Sequence, residues 1–115
     1  MHYYLRSSAM VWISLLALSG NLFAADSDAV AQRVRAELAT LLKKDAAQLP
    51  PNKPVMELGA DELTIVEWEM ALERAYRGIR LDKKTENPNT KKIRTDLTIA
   101  EMTKIVSEAL AELNR

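Results

Sequence analysis

The sequence predicts an all-α fold: a small four-helix bundle with a long first loop, whose third helix is short or replaced by a loop or hairpin. Two observations carry most of that expectation. Apolar residues recur at three- and four-residue steps in three separate stretches, and each stretch opens near a residue able to cap a helix. A proline-bearing connection divides the first stretch from the second.

In the first stretch Val30, Val34, Leu38, Leu41 and Leu42 keep helical spacing, while Arg33, Arg35, Glu37 and Lys43 fall outside the stripe. Ser27 or Asp28 is placed to cap this helix, which is expected to end near Lys44. The connection from Asp45 to Ala60 carries Pro50, Pro51 and Pro54, each without an N–H and each in steric conflict with a preceding helical turn. Its Leu49, Val55, Met56 and Leu58 are too apolar for a solvated linker and are expected to plug the open end of the bundle.

Asp61 caps a second helix, expected from Glu62 to about Arg77 and stopped by Gly78. At roughly 100° per residue, Ile65, Trp68, Leu72 and Tyr76, with Ile79 beyond, form its core stripe. Leu63, Val66 and Met70 form a second stripe. Glu62, Glu69 and Glu73 lie on one flank and Glu67 and Arg74 on the other, a spacing that reads as helix surface.

Residues 80–96 are polar and basic around the turn signal Asn87-Pro88-Asn89. They admit a short helix. They also admit a hairpin or irregular loop, with Ile79-Arg80-Leu81-Asp82 and Lys92-Ile93-Arg94-Thr95 alternating as its arms. Thr98-Ile99-Ala100-Glu101 is a capping box, in which the Thr98 hydroxyl accepts from the Glu101 N–H and the Glu101 side chain reaches back to the Thr98 N–H. The helix it opens presents Ile99, Met102, Ile105, Val106, Ala109, Leu110 and Leu113 as one apolar face.

Composition bounds the function. The chain has 115 residues, 16 basic and 16 acidic, so no net charge draws it to nucleic acid. Met1 to Arg6, an apolar run from Ala9 to Leu18 and the small-residue end at Ala24-Ala25 have the order of a secretory signal peptide. Cleavage after Ala24 would leave 25–115 as one helical domain, periplasmic or secreted. Retention of the segment as an anchor is the alternative, and the only one that places the chain on a membrane. Catalysis has little to draw on: His2 lies in the signal segment, cysteine is absent, and no convergent carboxylates or metal-ligand set remain, so an enzyme is not expected.

Leu58-Gly59-Ala60-Asp61 at a helix start, after a helix and a long loop and before a Thr-capped last helix, resembles the layout of acyl carrier proteins. Glu67, Met70-Ala71-Leu72-Glu73 and Tyr76 extend the likeness. The resemblance implies a short third helix and a docking surface on the second. In that family a serine after the aspartate bears phosphopantetheine; here it is Glu62, which cannot be esterified to that arm, so no phosphopantetheine is expected. Family members are also acidic along the second helix, whereas this one ends with Arg74, Arg77 and Arg80.

The expected role is a non-catalytic protein-docking module of the cell envelope, with Glu62, Leu63, Val66, Glu67 and Met70 as the surface toward a protein partner. Glu62 reads either as a stand-in for the phosphate of the missing arm or as an ordinary first-turn acid, and the Leu63–Met70 stripe reads also as core covered by the middle segment. Two alternatives stand beside docking: a small lipid- or acyl-chain-binding protein whose bundle opens between its helices, with Trp68 and Tyr76 lining the cavity, and a genuine acyl carrier. Lys83, Lys84, Lys91, Lys92 and Arg94 form a basic run that is either an anion or lipid contact or a solvated face.

Overall fold

Helices α1 (Leu22–Leu42), α2 (Glu62–Ala75) and α3 (Ile99–Leu113) carry the computed structural model, which describes residues 22–114, with side chains from 28 onward. Among the described residues there is no strand, only the isolated bridges Pro54–Thr98 and Glu86–Ile93. The fold is all-α. The signal-segment reading falls on residues 1–24, of which 1–21 lie outside the described residues.

The α1 helix begins upstream of its expected caps. Ser27 and Asp28 sit inside helical backbone rather than at its start, because Leu22 and Ala24-Ala25 are strong helix formers that let the helix extend back past them. At its other end Lys43 takes φ 56° and the Lys44 N–H returns to the Ala39 carbonyl at 3.0 Å, a left-handed closure that needs no glycine. Val34 and Leu38 are wholly buried, and α1 packs against both α2 and α3.

The long loop contains two short 3₁₀ turns, Ala46–Gln48 and Val55–Leu58. Leu49, Val55 and Leu58 turn into the core as expected, but Met56 does not: it is 55% exposed. In a turn of roughly three residues, neighbouring side chains face different ways, so Val55 and Leu58 can be buried together only if Met56 points out. The Val55 N–H donates to the Leu97 carbonyl at 2.7 Å and the Ala100 N–H to the Pro51 carbonyl at 3.0 Å, which ties the loop to the entry of α3.

No third short helix forms between α2 and α3. Residues 80–98 run as a strap of turns, with Leu81 and Leu97 wholly buried at its two ends. A narrow antiparallel contact closes its middle, where Asn87 N–H donates to the Lys92 carbonyl (2.7 Å) and Arg94 N–H to the Thr85 carbonyl (2.9 Å). The pairing therefore starts at Thr85, later than the arm expected from Ile79. Residues 79–82 are held elsewhere: Ile79 and Leu81 are buried in the core. Pro88 and the absence of a continuous apolar stripe leave a helix here nothing to bury.

The α3 helix opens at Thr98, whose hydroxyl accepts from the Glu101 N–H at 3.0 Å. Only that half of the box forms as expected. The Glu101 carboxylate instead accepts from the Thr98 hydroxyl (3.3 Å) and from Arg94 Nη2 (2.8 Å), since a guanidinium outcompetes a backbone amide for a carboxylate. The apolar face of α3 is buried through Ala109, while Leu113 at its end is 49% exposed. Replacing Thr98 with alanine should lower stability by about 1 kcal/mol in urea unfolding, the usual loss for an N-cap hydroxyl.

Candidate functional site

The site is built outward from the turn that starts α2. Gly59 has φ +106°, a conformation that L side chains rarely adopt, and Ala60 beside it is buried. Together they deliver Asp61 to the N-cap position. Its Oδ1 accepts from both the N–H (2.8 Å) and the hydroxyl (2.7 Å) of Thr64. The backbone bond first, and the hydroxyl second, hold the Asp61 carboxyl below its ordinary range. Thr64 is thereby committed to the cap, and Glu62 projects exposed from the first turn.

Beyond the cap, the two stripes of α2 separate as their spacing requires. Ile65, Trp68 and Leu72 are wholly buried, with Tyr76 half-buried after the helix ends. On the opposite side Leu63 is 65% exposed and Met70 51%, with Val66 half-buried between them and Glu67 exposed alongside. The strap does not cover this stripe. Among the described residues the large exposed apolar side chains are Met56, Leu63, Met70 and Leu113, and two of these lie on this face. Arg74, Arg77 and Arg80 are exposed toward the far end of α2.

The flank between the stripes departs from the expectation. Glu69 is buried at 7% exposure and its carboxylate accepts from the hydroxyl of Thr85, itself wholly buried. Glu73 Oε2 accepts from the Leu81 N–H at 2.8 Å. The strap therefore lies on this acidic flank. Desolvation above all, then the charges of Glu73, Asp82 and Glu86, push the Glu69 carboxyl up to about 7 against the opposing pull of the Thr85 bond. A signal for this was present: at roughly 100° per residue Glu69 lies about 40° from Ile65 and about 20° from Tyr76, at the very edge of the core stripe.

The remaining candidates are dispersed. Trp68 is wholly buried and its indole N–H donates to the Val34 carbonyl at 2.9 Å, so it packs as core. Tyr76 lines a shallow hollow of about 380 Å³ with Ala29, Ala36 and Ala75. Of the basic run, Lys84 pairs with Glu112 (3.1 Å) and Arg94 with Asp96 (3.1 Å) and Glu101 (2.8 Å), while Lys83, Lys91 and Lys92 are exposed. Two of its five cations thus serve the fold. No described helix is long and apolar enough to cross a membrane. No protein-family model, curated protein or solved structure matches the chain.

Proposed function

We propose that this chain is an exported, acyl-carrier-like helical domain that works without phosphopantetheine, as a non-catalytic docking module of the cell envelope. Its docking face is the outer side of α2, where Leu63, Val66 and Met70 supply apolar contact and Glu62 and Glu67 flank them. The observation that carries this reading is the exposure of Leu63 and Met70 on a helix whose other side already supplies the core. Solvent-facing apolar side chains grouped on one helix face suit partner binding, and methionine adapts to partners of varied shape.

Met70→Glu is the test. A surface change of this kind should move stability by no more than about 0.5 kcal/mol. Photo-crosslinking from position 66 in the cell envelope should capture a discrete protein with the native sequence and lose it with Met70→Glu. Unfolding of the variant, or an unchanged crosslinking pattern, sinks the reading. The intact mass of the exported protein separates docking from carriage, because a carrier would bear the added mass of its arm.

A further inference from the structure

A groove of about 490 Å³ lies where the first turn of α3, the middle of α1 and the long loop meet. Its floor is formed by Ala31 on α1, Ala46 and Pro51 on the loop, and Ile99 and Ala100 on α3. These are small or compact apolar side chains, so the floor stays open. No described residue of α2 lines it. The polar side chains of the groove are Gln32, Arg35 and Thr103. Thr103 is committed within its own helix, its hydroxyl donating to the Ile99 carbonyl at 2.9 Å. Gln32 is exposed at the rim and Arg35 is half-buried. Among the described residues no carboxylate pairs with Arg35, since the ion pairs of the fold use Arg33, Lys84 and Arg94. Residues 1–21 contain no aspartate or glutamate that could supply one.

We propose that this groove binds a small monocarboxylate with an apolar body, its carboxylate held by Arg35 and its body laid on the floor of Ala31, Ala46 and Ala100. A guanidinium presents its N–H donors in a fixed plane that matches a carboxylate edge with paired hydrogen bonds. The lining of the groove supplies that cation and no anionic side chain, which disfavours a cationic ligand. One guanidinium balances one negative charge. A dianion such as a phosphate monoester would keep an unbalanced charge against an apolar floor.

The shape agrees with the chemistry. A concave, mainly apolar site with a few polar groups that fix orientation is the usual make-up of a small-molecule site, and the volume here lies within the usual range. The groove is formed at the surface rather than between the core stripes, so a ligand enters it without parting the helices around Trp68. The site uses neither α2 nor a protein partner, and it stands apart from the docking reading.

Titration of the isotope-labelled chain with sodium octanoate, followed by amide NMR, tests the site, with octanol as the probe that keeps the body and lacks the charge. Octanoate should shift the amides of Ala31, Ala46 and Ala100 to saturation, with a Kd of about 1 mM or below. Octanol should bind about 10-fold more weakly, since it forgoes the charge-assisted hydrogen bonds. Arg35→Met keeps the stem of the side chain and its packing, and should weaken octanoate by about 10-fold while leaving octanol unchanged. Ala100→Leu changes an exposed position, fills the groove and should abolish both interactions while the circular dichroism stays native. The site is overturned if octanoate does not saturate, if octanol binds as tightly, or if Arg35→Met binds octanoate as the native chain does. Shifts confined to Leu63 and Met70, or to the Trp68 indole, overturn it as well. Should Arg35→Met not fold, the octanoate and octanol comparison with Ala100→Leu decides the question by itself.

Discussion

Trp68→Ala should cost the domain roughly half of its stability. Trp68 is the largest of the wholly buried side chains and stands in the cluster with Val34, Leu38, Ile65, Leu72 and Met102. Truncating a buried tryptophan costs about 3–5 kcal/mol, because the transfer energy of the ring is lost and the surrounding helices close the cavity only in part. A domain of this size has about 5–10 kcal/mol in total. Trp68→Phe separates packing from polarity: it keeps most of the apolar contact but removes the donor to the Val34 carbonyl, with an expected loss of about 1–2 kcal/mol. Urea unfolding followed by far-ultraviolet circular dichroism measures both, since the helical signal does not depend on the indole being replaced. An unchanged midpoint for Trp68→Ala would remove Trp68 from the core.

Stability should fall as the pH rises from about 4.5 to about 7, the reverse of ordinary acid denaturation. The Glu69 carboxyl is pushed up to about 7 in the folded chain, chiefly by desolvation, from an ordinary value of 4.5. Within that window the native state retains a proton that the unfolded chain has released. The contribution is therefore complete below pH 4.5 and is lost as the pH passes through about 7. Its size is on the order of 2 kcal/mol once the solvent that still reaches the carboxyl is allowed for. Asp61 acts with the opposite sign in a lower window: its depressed carboxyl stabilises the fold above its ordinary value and ceases to as the pH falls. Unfolding free energies from pH 3 to 9 should accordingly pass through a maximum on the acid side of neutrality. Glu69→Gln should flatten the decline and make the variant the more stable protein at pH 8; a parallel decline in both would assign the effect to other groups.

The contrast between Asp61 and Glu69 shows what the sequence could and could not convey. Asp61, Thr98 and the stripe of Ile65, Trp68 and Leu72 are legible because capping and helical periodicity depend on residues within a turn or two of one another. The exposure of Leu63 and Met70 follows from the same periodicity, although only the position of the strap decides that they stay uncovered. Glu69 was obscured by its chemistry. A glutamate beside two others reads as surface, and its burial is conferred by Thr85, which lies beyond a turn-rich connection. The strap lacked both period and cap, so neither a helix nor a hairpin could be chosen for it. The early start of α1 had no breaker to mark it, because Ser27 and Asp28 are tolerated inside a helix as well as at its end.

The central place of α1 bears on the order in which the chain can fold. Its buried side is shared between α2 and α3, so Val34 and Leu38 cannot be fully covered until the Ile99–Leu113 segment is present. A chain emerging from the ribosome with its N-terminus first must therefore hold this seam open through most of synthesis. Contacts between distant segments are slow to form, since the intervening loop must close before any burial offsets it. The last helix is therefore the piece that completes the core, and what folds before it is present is a helix pair with one side of α1 still open to water.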